Sequence, residues 1–170
     1  NNNNNNNEYI PLYGVAIGDG LTDPCQQVEA GPRAAYDFGL IDMKTFLKSK
    51  EYAILATKAC NELNYTLAHE YRNMMEDIVS KSGINLYDVR EFGSYTYMHD
   101  RMDIYLNQED TKIDLNIPLQ YNYSTDSEVS SYLYDDVMKS QAWKLPTILS
   151  NIRVLLYQVR MYVILAYLYI

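Results

Sequence analysis

Short apolar runs lie near both ends of the chain, and the long stretch between them carries apolar residues at a helical period. The two runs are residues 9–18 and 153–158, and the second is continuous, as in strands buried within parallel sheets. Residues three or four positions apart share one helix face, which we expect to pack in the core. The clearest such stripe consists of Leu67, Tyr71, Met74, Met75, Ile78 and Val79. The charged residues expected to turn away from it are Glu70, Arg72, Glu76, Asp77 and Lys81.

Several residues mark where helices begin and end. Asp42 is placed to cap a helix that starts at the next residue, and Gly39 and Gly83 are placed to end helices. The pair Gly31-Pro32 is expected to interrupt the segment before Gly39, because proline disrupts a helix interior.

Shorter helices are predicted in the second half of the chain. Val129, Leu133 and Val137 recur every four residues and indicate an amphipathic helix. Residues 101–106 and a short segment that starts at Pro146 also have helical patterns.

This order of elements predicts an α/β chain, in which a strand, a mostly helical region and a second strand form one β–α–β step with a large helical insertion. The chain therefore divides into four regions. They are a poly-asparagine tail (1–8), a strand and turn (9–24), a helical region (25–150) and a second strand with a divergent C-terminal end (151–170).

Composition narrows the function classes. Apolar residues make up 48% of the chain, which favours a folded body over disorder. The formal net charge of −8 disfavours nucleic acid as a partner. The apolar segment 161–170 is too short to span a membrane, because a spanning helix needs about 20 apolar residues. The chain begins with asparagines rather than Met and shows no signal peptide before Glu8, so we expect a partial chain.

No cofactor or metal motif accompanies the cysteines and histidines. Cys25 and Cys60 can pair or stay free, and the sequence does not decide between the two states. His69 and His99 lie 30 positions apart, outside any metal-ligand spacing.

Two acidic groupings suggest chemistry but have simpler interpretations. His99 with Asp100 and Asp103 suggests a base and an orienting acid, yet neighbouring residues do not face each other and no nucleophile motif accompanies them. Asp19 and Asp23 suggest calcium ligands, but no EF-hand spacing follows them. We therefore expect a solvated histidine in the first case, and turn and capping roles in the second.

Two tripeptides fit the acceptor pattern for N-linked glycans. They begin at Asn64 and Asn122, and the second lies in a polar loop. Each predicts exposure in a secreted or lumenal protein.

The most specific motif is the block Gly14–Pro24, with the sequence GVAIGDGLTDP. It indicates a strand that ends in a tight turn, where glycine permits a positive φ or a close backbone approach. The Asp-Pro step then forces an extended or turning exit. This block closely resembles the GIAIGNGLTDP or GIAIGDGxxDP block of serine carboxypeptidases (peptidase family S10). Aspartate at position 19 is most similar to the vitellogenic-carboxypeptidase-like branch.

Weaker blocks in the same order extend the resemblance over residues 9–158. They are Ala35–Asp42, Asn85–Arg90, Tyr105–Gln108, Asp136–Ser140 and Arg153–Tyr157. The resemblance implies part of an α/β-hydrolase, in which a helical cap is inserted between two adjacent parallel strands. It also implies release of C-terminal residues from a peptide or protein substrate, without a cofactor, in a lysosomal, vacuolar or secreted location.

The resemblance further implies a catalytic triad in the chain order Ser, Asp, His. No Gly-x-Ser-x-Gly elbow occurs here, and the family's serine and histidine would lie before residue 1 and after residue 170. Alignment from Tyr157 places Tyr162 at the position of the family's aspartate. A neutral phenol does not replace a carboxylate that must stabilise an imidazolium. We therefore predict no catalytic residue in this chain, which is expected to be a partial or inactive copy.

Two other interpretations stay open. The helical region can be a non-enzymatic module that binds peptide or protein through a tyrosine-rich surface, since the chain holds 18 tyrosines. Alternatively, the chain is an unrelated small α/β domain that matches the family by chance.

Overall fold

The computed structural model describes residues 11–93, 99–124 and 128–158. A 3-10 turn at Ala142–Lys144 leads into the last of its helices. In chain order the strands and α-helices are β1 (Gly14–Gly18), α1 (Pro24–Gln27), α2 (Ala30–Asp37), α3 (Met43–Asn61), α4 (Tyr65–Ser80), α5 (His99–Leu106), α6 (Glu109–Asp114), α7 (Glu128–Tyr132), α8 (Leu145–Leu149) and β2 (Arg153–Tyr157).

The strands β1 and β2 lie side by side and run parallel, although the whole helical region separates them in sequence. Gly14 pairs with Arg153 and Gly18 pairs with Tyr157, so the strands match residue for residue. The predicted pair of parallel strands on either side of a helical region is confirmed. β1 starts at Gly14, later than predicted, because residues 11–13 have no strand geometry.

β2 is less buried than its continuous apolar sequence predicts. Leu155 is 59% exposed and Tyr157 is 50% exposed. In the described part of the chain, β1 and α8 are the elements with the main contacts to β2. A two-stranded sheet with one short helix beside it has no complete covering layer, so the prediction of a buried strand is wrong for the described residues.

The main core lies between α3 and α4, which form a helical hairpin. Ala53 and Ala56 of α3 are buried in one cluster with Met75 and Val79 of α4. Alanine has no bulky side chain, so the two helices can approach each other closely. The hairpin turns at Leu63, which has a φ of 60°.

Capping residues fix the ends of the helices. Asp42 accepts a hydrogen bond from the N–H of Thr45 at 2.7 Å, and Asn64 accepts one from the N–H of Leu67 at 3.2 Å. Gly39, with a φ of 69°, follows α2. The predicted roles of Asp42 and Gly39 are both confirmed.

Two predictions about helix boundaries are wrong. The pair Gly31-Pro32 lies in the first turn of α2, where the missing N–H of proline has no helical partner to lose. The helix predicted through Val129, Leu133 and Val137 ends at Tyr132, and the chain continues as turns. Val129 and Leu133 are exposed, so their spacing gains little packing energy to extend the helix.

The buried face of α4 is rotated from the predicted stripe. Ala68 and Met75 are buried, whereas Met74 is exposed. The side chains of Arg72 and Glu76, expected to face solvent, are only 14% and 19% exposed. Tertiary packing causes this rotation, because the turns that follow α7 pack along the side of α4 that carries Ala68 and His69.

A second cluster ties the C-terminal half of the chain to the helical hairpin. Met138 is fully buried with Ala59, Cys60 and Ala68. Cys60 forms a disulfide with Cys25, and the carbonyl oxygen of Met138 lies 3.2 Å from the Cys25 sulfur. The pairing that the sequence left open is formed, and it joins α1 to the end of α3.

Replacement of both Cys25 and Cys60 by serine is expected to lower the free energy of unfolding by about 3–4 kcal/mol, because the cross-link restricts the unfolded chain. The two residues are 35 positions apart. Urea unfolding followed by circular dichroism, with and without reductant, measures the change. Reductant should destabilise the parent chain and leave the double variant unaffected, and an equal effect on both would contradict a stabilising disulfide.

Candidate functional site

The turn after β1 lies at the edge of the sheet where both strands end. Asp19 has a φ of 51°, and its N–H donates to the carbonyl oxygen of Tyr157, the last residue of β2, at 2.9 Å. The turn therefore crosses the end of the neighbouring strand. Open parallel sheets bind ligands beyond the carboxyl ends of their strands, which makes this edge the first candidate site.

The glycines beside Asp19 provide close packing rather than a positive φ. A Cβ atom on Gly18 would overlap the ring of Tyr157, and one on Gly20 would overlap the side chain of Ile17. Close approach, one of the two roles predicted for these glycines, is confirmed. The positive φ belongs to Asp19, a residue type that tolerates the left-handed conformation.

Gln27 holds the turn against α1. Its buried side chain donates from Nε2 to the carbonyl oxygen of Gly20 at 3.1 Å and accepts at Oε1 from the N–H of Asp23 at 2.8 Å. The N–H of Gln141 donates to the carbonyl oxygen of Thr22 at 2.8 Å. Gln27 has no recognisable sequence signal for this role, because a capping box places its glutamine one residue earlier.

Gln158 follows β2 at the same edge of the sheet. Both polar atoms of its side-chain amide are buried, and neither has a hydrogen-bond partner within the described ranges. Buried amides are normally paired, since an unpaired one costs free energy. Among the described residues, the Gln158 amide therefore leaves a donor and an acceptor unpaired at this edge.

Several of the predicted candidate residues are not tested by the structure. Tyr162 lies outside the described residues, as do the side chains of His99 and Asp100. Asp103 has a buried carboxylate oxygen without a hydrogen-bond partner among the described residues. Asp23 stands at the N-cap of α1, but its side chain makes no capping hydrogen bond.

Metal and membrane sites have no candidate in residues 11–93, 99–124 and 128–158. In these ranges, no three side chains of His, Cys, Asp or Glu converge as metal ligands. No helix there combines the length and the apolar content needed to cross a membrane.

The two glycosylation tripeptides are held by different contacts. Asn64 caps α4, and Thr66 of the same tripeptide donates to a carboxylate oxygen of Asp135 at 2.6 Å. Asn122 accepts at Oδ1 from Nζ of the buried Lys112 at 2.9 Å. These hydrogen bonds engage the oxygen of each amide, whereas the glycan is attached to the nitrogen.

A charged pair lies on the buried side of α4. Nη2 of Arg72 is 2.7 Å from Oε1 of Glu76, which is close enough for an ion pair but lacks the alignment of a hydrogen bond. Burial raises the pKa of Glu76, and the charge of Arg72 partly opposes that shift. One turn earlier, Nδ1 of His69 lies 2.9 Å from the carbonyl oxygen of Tyr134.

Comparison with known proteins identifies the family. The sequence model of the serine carboxypeptidases matches residues 1–168. The chain belongs to the serine carboxypeptidase family. It is 32% identical over 164 residues to the probable serine carboxypeptidase CPVL of Dictyostelium discoideum. The matched segment covers 92% of this chain and 32% of that protein. A serine carboxypeptidase-like protein of Pisum sativum is 29% identical over 161 residues, with 88% of this chain and 56% of that protein covered.

A further relative has a different source. The venom serine carboxypeptidase of Apis mellifera is 24% identical over 168 residues, which cover 93% of this chain and 36% of that protein. The chain thus spans about a third of the Dictyostelium and bee relatives and 56% of the pea relative.

Family membership confirms the predicted resemblance and excludes a chance match by an unrelated domain. It implies an α/β-hydrolase fold, and the parallel pair β1–β2 agrees with part of such a sheet. The assignment of the helical region to a cap stays a prediction.

Gly18→Ala is expected to lower the free energy of unfolding by about 0.5–1.5 kcal/mol, because the added methyl group overlaps the outer end of the half-exposed Tyr157 ring and displaces it from its rotamer. In the background of Tyr157→Ala the same change should cost much less, since the ring is gone. Urea unfolding of the four proteins in this double-mutant cycle measures the coupling.

Gly39→Ala is the matched control, because a Cβ atom there meets open space at a positive φ. Its cost should be the same with or without the Tyr157 ring. Equal costs of Gly18→Ala in both backgrounds would show that the ring does not set the requirement for glycine.

The raised pKa of Glu76 predicts a pH dependence of stability relative to Glu76→Gln. The native state holds this proton more tightly than the unfolded state, so the contribution is fully present below the ordinary pKa of 4.5. It is lost as the pH rises through the raised value.

Urea unfolding of both proteins between pH 4 and pH 7 measures this dependence. The parent should lose stability relative to the variant as pH rises. The same measurement on Asp37→Asn serves as a control, because the ion pair Arg33–Asp37 is exposed to solvent. A parent that gains stability relative to Glu76→Gln as pH rises would contradict the direction of the shift.

Proposed function

We propose that this chain is the central part of a serine-type carboxypeptidase homologue. In this proposal β1 and β2 are adjacent strands of the hydrolase sheet, and residues 25–150 are the helical cap between them. The observation that carries the proposal is the parallel, residue-for-residue pairing of the two strands. It places the block Gly14–Pro24 and the end of β2 at one edge, where an α/β-hydrolase assembles its site.

The cap is proposed to shape a cleft for the substrate peptide at this edge. Gln27 anchors α1 to the turn, and the Gln141 backbone anchors the return segment to Thr22. The helical region is therefore held beside the carboxyl ends of the strands at its start and again at Gln141, ahead of the crossing to β2. A cap held in this way positions its inner surface over the sheet edge with little loss of conformational freedom on binding.

The chain of 170 residues is proposed to be catalytically inactive by itself. It contains no Gly-x-Ser-x-Gly elbow, and Tyr162 stands at the position of the family's aspartate. A tyrosine with an ordinary pKa of about 10 is neutral at pH 7 and cannot stabilise an imidazolium as a carboxylate does. In trypsin, a neutral amide at the position of the acid lowers kcat by about 10⁴.

A lysosomal, vacuolar or secreted location is part of the proposal. The disulfide Cys25–Cys60 fits an oxidising compartment. Asn64 and Asn122 are exposed, as glycan acceptors must be. We propose both asparagines as N-glycosylation sites.

Exposed aromatic side chains favour a second candidate function, a non-enzymatic module that binds peptide or protein. Aromatic residues are enriched in protein interfaces, where they bury a large area at low entropic cost. In the part of the chain that the structure describes, the aromatic side chains that are more than two-thirds exposed are Tyr13, Phe92, Tyr132 and Trp143.

The 170-residue chain is expected to show no labelling by a serine-reactive fluorophosphonate probe and no release of C-terminal residues from peptides at acid pH. Mass spectrometry of the peptide products and in-gel fluorescence are the two measurements, with an active serine carboxypeptidase as control. Labelling together with turnover would contradict the inactive assignment.

The sequence of the transcript that encodes the chain separates the two functions. A Gly-x-Ser-x-Gly elbow before residue 1 and a histidine motif after residue 170 would support the hydrolase. In such a longer product, Tyr162→Asp is expected to raise kcat by about 10³–10⁴, since it restores the acid. An unchanged kcat would contradict the role of position 162, and a product without an elbow would favour the binding module.

A further inference from the structure

A cavity of about 550 Å³ lies between α4 on one side and α7 with the turns that follow it on the other. The apolar side chains of this second side are Val129 of α7 and Leu133, Tyr134 and Val137 of the turns. Its volume is within the range of about 300–1,000 Å³ that is typical of small-molecule pockets. Such pockets are mostly apolar with a few polar groups that fix the orientation of the ligand.

The polar side chains of this cavity come from His69 and Arg72 of α4 and from Ser130 and Ser131 of α7. His69 and Arg72 are one turn apart and both line it. The His69 ring lies against the Tyr134 ring with centroids 4.1 Å apart, and Nδ1 is 2.9 Å from the Tyr134 carbonyl oxygen. Because a carbonyl oxygen only accepts, Nδ1 carries a proton, and the ring is held as a flat wall of the cavity.

Arg72 is the group with unused binding capacity. Its side chain is 14% exposed, and among the described residues its partner is Glu76, whose nearer oxygen is not aligned with a guanidinium N–H. A guanidinium has five N–H donors, so the ion pair with Glu76 leaves donors that can bind an acceptor in the cavity. The matched pair of Arg33 and Asp37 is exposed, and its Nε donates to the carboxylate at 2.6 Å.

We propose that this cavity binds a small molecule with a flat apolar body and one carboxylate. The apolar body lies against Val129, Leu133 and Val137, and the carboxylate accepts hydrogen bonds from the guanidinium of Arg72. Arginine matches a carboxylate with two parallel N–H donors, which gives orientation as well as affinity.

The charges of the cavity exclude other ligand classes. One arginine, partly balanced by Glu76, fits a single negative charge but not the several charges of a polyphosphate. The same arginine disfavours a cationic ligand. This inference is independent of the proposed peptidase function, because the cavity does not include the turn at Asp19 or the end of β2.

Isothermal titration of the 170-residue chain with 2-naphthylacetate and with neutral 2-naphthylacetamide tests the proposal. The two probes have the same apolar body, so the difference reports the carboxylate. The acid is expected to bind about tenfold more tightly than the amide, as for a charge-assisted hydrogen bond. Equal affinities, or no binding of the acid at millimolar concentration, would overturn the proposal.

Variants of Arg72 locate the site of binding. Arg72→Met should abolish the preference for the acid, whereas Arg33→Met, in the matched exposed pair, should preserve it. Leu133 is half-exposed, so Leu133→Asn leaves the core intact and should weaken both probes equally. A preference for the acid that survives Arg72→Met in a folded variant would place the carboxylate elsewhere and refute the assignment.

Discussion

The parallel pairing of β1 with β2 is the constraint on which the rest of the structure depends. Parallel strands end at the same edge of a sheet, so the chain that leaves β1 at Gly18 must cross to the opposite edge before it enters β2 at Arg153. The helical region is that connection. Gln27 at its start and the backbone of Gln141 hold this connection beside the carboxyl ends of the strands before it crosses to Arg153.

Two hydrophobic clusters stabilise different parts of the helical region. The α3–α4 hairpin buries small and medium side chains and is a local unit, since its helices are adjacent in sequence. The cluster around Met138 and the Cys25–Cys60 disulfide joins three segments that are distant in sequence. The disulfide restricts the unfolded chain across a loop of this length, which adds to the stability that the small cluster provides.

Local signals in the sequence predicted local structure well. Asp42 and Gly39 mark helix ends through their own backbone and side-chain chemistry, so their roles were visible without the fold. The burial of Arg72 and Glu76 was not visible, because it comes from turns more than fifty positions later in the chain. Gln27 was missed for a local reason. Its side chain contacts the N–H of Asp23 four residues earlier, whereas a capping box joins residues three apart. The block Gly14–Pro24 predicted the edge of the sheet. The continuous apolar sequence of β2 overstated its burial, because the sequence of one strand does not show how many layers cover it.

The backbone at Asp19 has a consequence for how variation at that position should be understood. A φ of 51° admits glycine, asparagine and aspartate at small cost and penalises other side chains. The alternation between Asn and Asp in the block that this chain resembles therefore follows from steric selection by the turn. Exchange of amide for carboxylate at residue 19 keeps the side chain within this one permitted backbone conformation.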